Sequence, residues 1–531
     1  MKLLIIRYKV IISIIVLSII YLYTLDNYWK PFWDSAIYIC LAKSIAAGNG
    51  YHYMGLPHAK YPFIFPLMLS PIISVCGLNF LLMRLLIIIL AIASFYITYI
   101  LFQKLTDEGT ALAIMLLTGF SSILLHLSTW VLSEVPYMFL SLCTLCFFID
   151  YSKESRCFTK TGFFSSIFLV VTIFTRMIGV TLGIAILLHL LLSRGAKGYF
   201  THNAKKMVLI GVIISIPLSL WFYRSYLINK HYPFQPEYRG VLNYQREFFV
   251  KVPDNIHAPS IPHADFVKRI QDNVRIYIGI TSNVLVNNVP LKIVRFITML
   301  LFLCGFLWCF FKRRTVVEYY CSLYLTVCII WWFNQQSVRF ISPVIPFVFY
   351  YLLTGLKRGL ELLSNREHKR AKNTFEMVKR VNFILVVFVL AITNFSFNPS
   401  VIKGERRQQF YSSELLSEFF SAINWINEYT TQDTVVMASE APWFFMLTDR
   451  RTLTWPLFEP LSYIIDSLIT NRVEYIVVSD IEYAIYTLLH NFVESHPQHF
   501  LKVFTNNKTS IYKIELENLS ILKDEINKNS R

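Results

Sequence analysis

The sequence has 531 residues, of which 55% are hydrophobic and 16% are charged, and its formal net charge is +17. A soluble globular domain carries about 25% charged residues, so this composition excludes an ordinary soluble protein and indicates a polytopic membrane protein. The basic residues lie in short blocks between apolar segments. That pattern is typical of cytoplasmic loops and argues against nucleic-acid binding.

The first apolar segment follows Arg7 and Lys9 and runs to Tyr23. No small-residue cleavage site follows it, so we expect an uncleaved first span rather than a signal peptide. The nine cysteines are mostly in apolar segments and suggest no disulfide framework. Cys143 and Cys146 have the spacing of a redox pair, but they fall inside a predicted span and are expected to be small buried residues.

A membrane-spanning helix needs about 20 apolar residues, and by this measure the sequence predicts about eleven transmembrane helices. The candidates are Val10–Leu25, Phe80–Phe102, Thr110–Leu127, Ser133–Ile149, Gly162–Thr175, Ile178–Leu192, Met207–Tyr226, Ile293–Phe311, Glu318–Phe333, Phe340–Leu356 and Val381–Phe397.

One further apolar segment, Tyr61–Cys76, is interrupted by prolines. If it lies in the outer interface without crossing, the basic blocks all fall on the side of the N-terminus. These blocks are Lys104, then Lys153 to Lys160, Arg194 to Lys206, Lys312 to Arg314, and Lys357 to Arg380. The positive-inside rule makes that side cytoplasmic. We therefore expect an integral membrane protein, in a bacterial inner membrane, with an extracytoplasmic C-terminus.

Two domains are predicted. Residues 1–397 form the transmembrane module, with outer loops at residues 26–79 and 227–292. Within the second loop, Ala264–Ile278 is amphipathic and predicts either a helix on the membrane surface or a plain connecting loop.

Residues 398–531 form a soluble extracytoplasmic α/β domain in this prediction. Glu414–Tyr429 has helical periodicity, and Thr434–Ser439 and Tyr475–Asp480 have the composition of buried parallel strands. Ile481–Phe492 predicts a helix, and Leu501–Ile514 predicts a hairpin or an edge strand.

Two acids on the predicted outer face are candidate catalytic residues. Asp34 has aromatic neighbours in the first outer loop, where a carboxylate can act as general base toward an acceptor hydroxyl or amine. Glu134 begins a predicted span and is the second acid. Both acids also fit a structural interpretation as helix-capping residues, since Asp34 starts an amphipathic stretch and Glu134 follows Ser133.

Four cations on the same face are candidates for binding a phosphate: Lys60, Arg176, Arg224 and Arg339. A lysine binds phosphate as a point charge. An arginine at the end of a span can instead anchor the helix at the interface, and this alternative stays open. The sequence has no DxD, no HExxH and no zinc-type ligand spacing, so it indicates neither a metal nor a cofactor.

Several short motifs resemble the GT-C superfamily of membrane glycosyltransferases, in particular the branch of the protein O-mannosyltransferases and lipid A aminoarabinose transferases. The matching motifs are Phe32-Trp33-Asp34 with Tyr38, Ala42 and Gly48; Lys60-Tyr61-Pro62-Phe63; Gly77 to Arg84; Ser133-Glu134-Val135-Pro136; Thr175-Arg176; and Arg339-Phe340 with Pro343 and Pro346.

The resemblance implies a GT-C fold and an inverting transfer of a sugar from a polyprenyl-phosphate-linked donor to a lipid, glycan or protein acceptor. It implies that Asp34 is the base or positions the acceptor, and that Lys60 meets the lipid phosphate. Relatives often have a second acid after the first-loop Asp and a proline after the lysine, whereas this chain has Ser35 and Tyr61. Glu134 is therefore a candidate for the role of the second acid. The alternative functions are a polysaccharide polymerase or ligase, and a transporter or flippase of a lipid-linked sugar.

Overall fold

The computed structural model describes residues 2–192, 197–232, 244–253, 255–286, 292–331, 337–364, 387–388, 390–391, 414–481, 483–515 and 519–523. Up to residue 364 the described chain is mostly helical. The helices are α1 (Lys2–Tyr23), α2 (Trp33–Ala46), α3 (Ile64–Cys76), α4 (Phe80–Gln103), α5 (Glu108–Gly119), α6 (Ser122–Ser128), α7 (Glu134–Lys153), α8 (Lys160–Thr175), α9 (Val180–Leu192), α10 (Lys197–His231), α11 (Tyr244–Phe249), α12 (His263–Leu285), α13 (Lys292–Trp308), α14 (Val316–Ile330), α15 (Ser337–Ile341) and α16 (Ile345–Ser364).

Ten of the eleven predicted spans coincide with these helices, and the last, Val381–Phe397, lies largely outside the described residues. Five helices in the described part are long and apolar enough to cross a membrane, and α5 with α6, bent by 55°, makes a sixth candidate. The five are Phe80–Gln103, Glu134–Lys153, Asn203–His231, Lys292–Arg313 and Val338–Leu362. Shorter apolar helices occupy the other positions, so the total of eleven crossings stays a prediction.

Local sequence explains two features of the helical part. Helix α14 begins with a capping box, in which Thr315 and Glu318 bond reciprocally to the backbone of the first turn. Helices α13 and α16 pack together at Gly305 and Gly355, where a Cβ atom on either glycine would overlap the backbone of the opposite helix. Small residues permit this close approach between apolar helices.

The segment predicted to be the first outer loop contains α2, a short hairpin and α3. The hairpin pairs β1 (His52–Tyr53) with β2 (Leu56–Pro57). Its two turn residues, Met54 and Gly55, both have positive φ, which suits the right-handed twist of paired strands. Helices α2 and α3 pack against each other, so residues 33–76 form an ordered unit.

The segment predicted to be the second outer loop contains α12. This helix includes the whole amphipathic stretch Ala264–Ile278, so the predicted helix is confirmed and the interpretation as a plain connecting loop is wrong. Its position relative to a membrane surface stays a prediction.

The C-terminal unit, defined here as the described residues from 414 to 523, is an α/β structure. Its helices are α17 (Glu414–Tyr429), α18 (Ala441–Thr448), α19 (Leu461–Thr470) and α20 (Tyr483–Glu494), and its strands are β3 (Val436–Ala438), β4 (Thr452–Leu453), β5 (Tyr475–Ser479), β6 (Phe500–Asn506) and β7 (Thr509–Ile514). The strand order is β4-β3-β5-β7-β6. Strand β3 is parallel to β4 and β5, and β6 and β7 form an antiparallel hairpin. The predicted parallel strands and terminal hairpin are confirmed.

Candidate active site

Asp34 lies in the first turn of α2, whose N-cap position is Phe32. The Tyr61 hydroxyl donates to its Oδ1 at 2.8 Å, and Arg339 Nη2 donates to its Oδ2 at 3.0 Å. The interpretation of Asp34 as a helix cap is wrong, because the carboxylate binds side chains from other elements. The side chain is 23% exposed, so solvent reaches it.

Glu134 is the first residue of α7 and is 1% exposed. Its Oε1 lies 2.6 Å from Arg176 Nη1 and 2.6 Å from Arg339 Nη2. The hydroxyl of the preceding Ser133 accepts a hydrogen bond from Arg176 at 3.1 Å and lies 3.1 Å from the Tyr38 hydroxyl. The two side chains bind this cluster instead of the backbone of their own helix, so the capping interpretation of Glu134 is also wrong.

The two arginines lie inside the protein. The side chain of Arg339 is 8% exposed and that of Arg176 is 14% exposed. The Arg339 guanidinium also lies 4.4 Å from the centre of the Phe32 ring, within the range of a cation–π contact. Neither guanidinium reaches out to an interface, so the interpretation of these two arginines as membrane anchors is wrong.

We call Asp34, Glu134, Arg176 and Arg339 the acid–arginine cluster. It contains two carboxylates and two guanidiniums, so its charges balance. Buried charges are costly unless they are paired and hydrogen-bonded, and each of these four has such partners. Burial raises the pKa of Asp34, but Arg339, Lys60 and the Tyr61 hydrogen bond together bring that pKa below its ordinary value. The Asp34 carboxylate is therefore ionised at neutral pH and is able to accept a proton.

Lys60 follows the hairpin of the first outer loop and pairs with a residue of the second. Its Nζ lies 2.6 Å from Oε1 of Glu247 in α11, and the two side chains are 10% and 9% exposed. Lys60 Nζ also lies 5.0 Å from the centre of the Tyr61 ring. Tyr61 thus contacts Lys60 through its ring and Asp34 through its hydroxyl, which joins the predicted cation and the predicted base.

His58 fixes the orientation of Tyr61. The two rings are stacked with centroids 5.4 Å apart and planes 12° apart, and the backbone N–H of Tyr61 donates to His58 Nε2 at 2.9 Å. Burial, and secondarily the charges of Lys60 and Arg224, lower the pKa of His58 to about 3. The imidazole is therefore neutral and acts as a hydrogen-bond acceptor.

Arg224 supports the loop from α10. It donates to the backbone carbonyl of His58 at 2.8 Å, and its guanidinium lies over the rings of Tyr51 and Trp221. The structure therefore brings Asp34, Glu134, Arg176 and Arg339 into one cluster of contacts. Lys60 is joined to that cluster through Tyr61. Arg224 lies against the backbone of the loop at His58. Phosphate binding by any of the four cations stays a prediction.

Four residues that complete the site were not assigned a role in it from the sequence. They are Tyr38, His58, Tyr61 and Glu247. In the sequence, Tyr61 stands where relatives often have a proline, which gives it no role at the site. Glu247 lies in a segment without a motif. A glutamate in the second outer loop has no sequence signal that pairs it with a lysine in the first.

Comparison with known proteins gives the class of fold. No protein-family model matches the sequence, and no curated protein matches it. Among solved structures, the chain resembles ArnT from Cupriavidus metallidurans bound to undecaprenyl phosphate, with a TM-score of 0.61 and 10% identity over 95% of this chain and 97% of that one. It also resembles the apo state of the same protein, with a TM-score of 0.59, 12% identity and the same two coverages.

A third similar structure is the oligosaccharyltransferase AglB from Archaeoglobus fulgidus in complex with an inhibitory peptide and a dolichol-phosphate. Its TM-score is 0.55 at 12% identity, over 97% of this chain and 77% of AglB. These matches cover almost the whole chain, so this protein shares the fold of the ArnT and AglB structures. The fold expectation drawn from the motifs is confirmed.

Proposed function

We propose that the protein is a membrane glycosyltransferase that moves a sugar from a polyprenyl-phosphate-linked donor to a lipid, glycan or protein acceptor. The observation that carries this proposal is the Asp34 carboxylate, ionised and fixed between Arg339 and Tyr61. The fold adds support, because the similar ArnT and AglB structures hold undecaprenyl phosphate and dolichol-phosphate.

Asp34 is the general base in this proposal. The acceptor hydroxyl or amine attacks the anomeric carbon of the donor sugar from the face opposite the phosphate. The new bond forms as the bond between that carbon and the phosphate oxygen breaks, so the configuration inverts. The acceptor proton passes to Asp34, and the bonding electrons leave with the polyprenyl phosphate. A positioned base of this kind contributes about 10²- to 10⁴-fold to the rate.

Lys60 is the first cation for the donor phosphate, with Arg176, Arg224 and Arg339 as further candidates. A preorganised cation stabilises the charge that develops on the leaving group. Two of the arginines already have carboxylate partners, and Lys60 pairs with Glu247. Phosphate binding at Lys60 therefore involves competition with the Glu247 carboxylate.

Glu134 acts in this proposal by orienting the two guanidiniums. Both arginines bind its Oε1, and its Oε2 is buried without a hydrogen-bond partner among the described residues. The Glu134 carboxylate lies between Arg176 and Arg339 and holds the Arg339 guanidinium in contact with Asp34. This is the role we assign to the second acid of the site.

We also propose the topology and location that the sequence predicts. Residues 1–397 form the catalytic transmembrane module in a bacterial inner membrane, with the N-terminus in the cytoplasm. Residues 398–531 form the extracytoplasmic domain. The basic blocks between the spans and the position of the first outer loop support this orientation.

The proposal is tested by mass spectrometry of lipids and glycoconjugates from cells that carry the wild-type protein, a deletion or Asp34→Asn. We expect one glycoconjugate to lose a single sugar in both the deletion and Asp34→Asn. The matched control is Asp265→Asn, because Asp265 forms an exposed ion pair with Lys251 in the second outer loop. This control is expected to keep the sugar.

A second measurement separates transfer from transport. Purified Asp34→Asn protein is expected to bind polyprenyl phosphate as the wild type does. If Asp34→Asn leaves the glycoconjugate intact while the deletion removes it, Asp34 is not the base and the proposed mechanism is wrong. If the deletion changes only the leaflet in which the lipid-linked sugar accumulates, the protein is a flippase.

A further inference from the structure

Two opposite faces of helix α2 contact different parts of the protein. In an α-helix successive residues are rotated by about 100°, so Asp34 and Lys43, nine positions apart, point in roughly opposite directions. Asp34 and Tyr38 face the acid–arginine cluster and Ser133. Cys40 and Lys43 face helix α18 of the C-terminal unit.

Polar contacts join α2 to the C-terminal unit. Lys43 Nζ donates to the carbonyl of Met446 in the last turn of α18 at 3.0 Å and lies 2.5 Å from Asp449 Oδ1. The Cys40 thiol lies 3.9 Å from the carbonyl oxygen of Pro442. A lysine at the C-terminal end of a helix binds the last carbonyls favourably.

An aromatic contact joins the same unit to the segment that precedes α2. The rings of Trp29 and Trp443 meet edge to face with centroids 5.6 Å apart. Trp29 is 1% exposed, and its Nε1 donates to the Ser35 hydroxyl at 3.0 Å. Ser35 is fully buried and is the neighbour of Asp34. The C-terminal unit is therefore linked to the proposed base through the Trp443–Trp29 contact, the Trp29–Ser35 hydrogen bond and the peptide bond between Ser35 and Asp34.

We propose that helix α18 of the C-terminal unit positions Asp34 for catalysis, with Trp443 as the main positioning residue, acting through Trp29 and Ser35. This inference rests on the proposed function, since it concerns the placement of the proposed base. Tyr61 and Arg339 bind the carboxylate itself, whereas Trp443 fixes the helix that carries it. A displacement of about 1 Å at a reacting group is enough to lower a rate by about 100-fold.

The aromatic contact outweighs the ion pair in this arrangement. The side chain of Asp449 is 57% exposed and that of Lys43 is 21% exposed, and exposed ion pairs contribute little to stability. Trp443 is 7% exposed and packs on a fully buried partner. Substitution of Trp443 is therefore expected to release α2, and Asp449→Asn is expected to have a small effect.

Cys40 provides a natural probe of this contact. It is 2% exposed, beside Pro442 of α18, so separation of α2 from α18 uncovers its thiol. Cys321 is also 2% exposed and lies in α14, which packs against α7, α9 and α12, so it serves as an internal control. The experiment treats the full-length protein with a maleimide and measures labelling of each cysteine by peptide mass spectrometry.

The variants are Trp443→Leu, which keeps an apolar side chain, Trp443→Phe, which also keeps a ring, and Trp29→Phe. We expect Trp443→Leu to raise the labelling rate of Cys40 by about tenfold through local opening, with Cys321 unchanged. Trp443→Phe should stay close to wild type. Trp29→Phe removes the bond to Ser35 and should lower turnover while Cys40 stays covered.

Turnover and binding complete the test. In Trp443→Leu we expect the maximal rate of sugar transfer to fall about tenfold and binding of polyprenyl phosphate to stay unchanged, because the helix moves and the phosphate site does not. Unchanged Cys40 labelling with unchanged turnover overturns the proposal. Equal increases in labelling of Cys40 and Cys321 also overturn it, because they indicate general unfolding.

Asp34→Asn, measured in parallel, separates this inference from the proposed function. If Asp34→Asn remains active, the proposed base is wrong, and Cys40 labelling still decides whether α18 fixes α2. If Asp34→Asn is inactive but Trp443→Leu keeps full turnover, the proposed function stands and the positioning role is wrong.

Discussion

Lys60 Nζ lies 2.6 Å from Glu247 Oε1, and this ion pair joins the two outer loops beside the proposed base. The two side chains are about nine-tenths buried. A phosphate that binds Lys60 must compete with the glutamate for the same ammonium group. If Lys60 binds the donor phosphate as proposed, the pair with Glu247 lowers the affinity for that phosphate.

The first prediction concerns this competition. Glu247→Gln removes the competing negative charge and keeps the shape of the side chain, so we expect polyprenyl phosphate to bind about tenfold more tightly, which corresponds to about 1.4 kcal/mol. The measurement is titration of the purified protein with polyprenyl phosphate. Glu494→Gln is the control, because Glu494 forms an exposed pair with Lys502 in the C-terminal unit. Weaker binding to Glu247→Gln would show that Glu247 supports the phosphate site.

The second prediction concerns the pH dependence of transfer. Burial raises the pKa of Asp34, whereas Arg339, Lys60 and the Tyr61 hydroxyl lower it and prevail. Tyr61→Phe removes one hydrogen bond to the ionised form, so the pKa of Asp34 should rise. The base is active when ionised, and we expect the acidic limb of the rate profile to move to higher pH by up to about one unit.

Tyr51→Phe is the control for this profile. The Tyr51 hydroxyl donates to the backbone carbonyl of Tyr61, not to Asp34. Its acidic limb should coincide with that of the wild type. An unshifted profile in Tyr61→Phe would contradict the assignment of Asp34 as the titrating base.

The third prediction concerns Arg339, which bridges the two acids. Arg339→Met leaves Asp34 and Glu134 without a shared cation, and removal of one partner from a buried ion pair typically costs about 3–5 kcal/mol. We expect a clear fall in the unfolding temperature of the purified protein as well as loss of transfer. Arg358→Met removes an exposed pair with Glu361 on α16 and should change the unfolding temperature little. Equal effects in the two variants would mean that the acid–arginine cluster does not stabilise the fold.

The fourth prediction concerns His58. Burial lowers the pKa of its imidazole to about 3, whereas in the unfolded chain it is about 6.5. Between these two values the unfolded state binds more protons, so stability falls as the pH is lowered from about 6.5 toward 3, by up to about 1.4 kcal/mol for each pH unit. Above pH 6.5 this contribution is constant.

His58→Gln keeps an acceptor for the Tyr61 N–H and does not titrate. We expect its unfolding temperature to fall less than that of the wild type between pH 6.5 and 4.5. His257→Gln serves as the control, because the His257 side chain is 68% exposed. Parallel pH curves for His58→Gln and the wild type would mean that His58 is protonated in the folded protein.

Local patterns in the sequence predicted much of the fold. Apolar runs placed ten helices, because a span needs a long apolar surface whatever it packs against. The parallel strands β3 and β5 were recognisable as short apolar runs, since strands covered on both faces need no alternation. The motifs around Asp34, Glu134 and Arg339 resembled those of membrane glycosyltransferases, and the chain shares the fold of the ArnT and AglB structures.

What the sequence determined by itself is therefore the membrane class, the positions of the helices and the residues that form the acid–arginine cluster. The tertiary structure decided how those residues pair. Asp34 and Glu134 had equally good local roles as helix caps, and only packing brought Arg339, which is 305 positions from Asp34 and 205 from Glu134, between them. The tertiary structure also decided the Lys60–Glu247 pair and the contact of Trp443 with Trp29. Local composition does not predict these contacts, because the partners are distant in the chain.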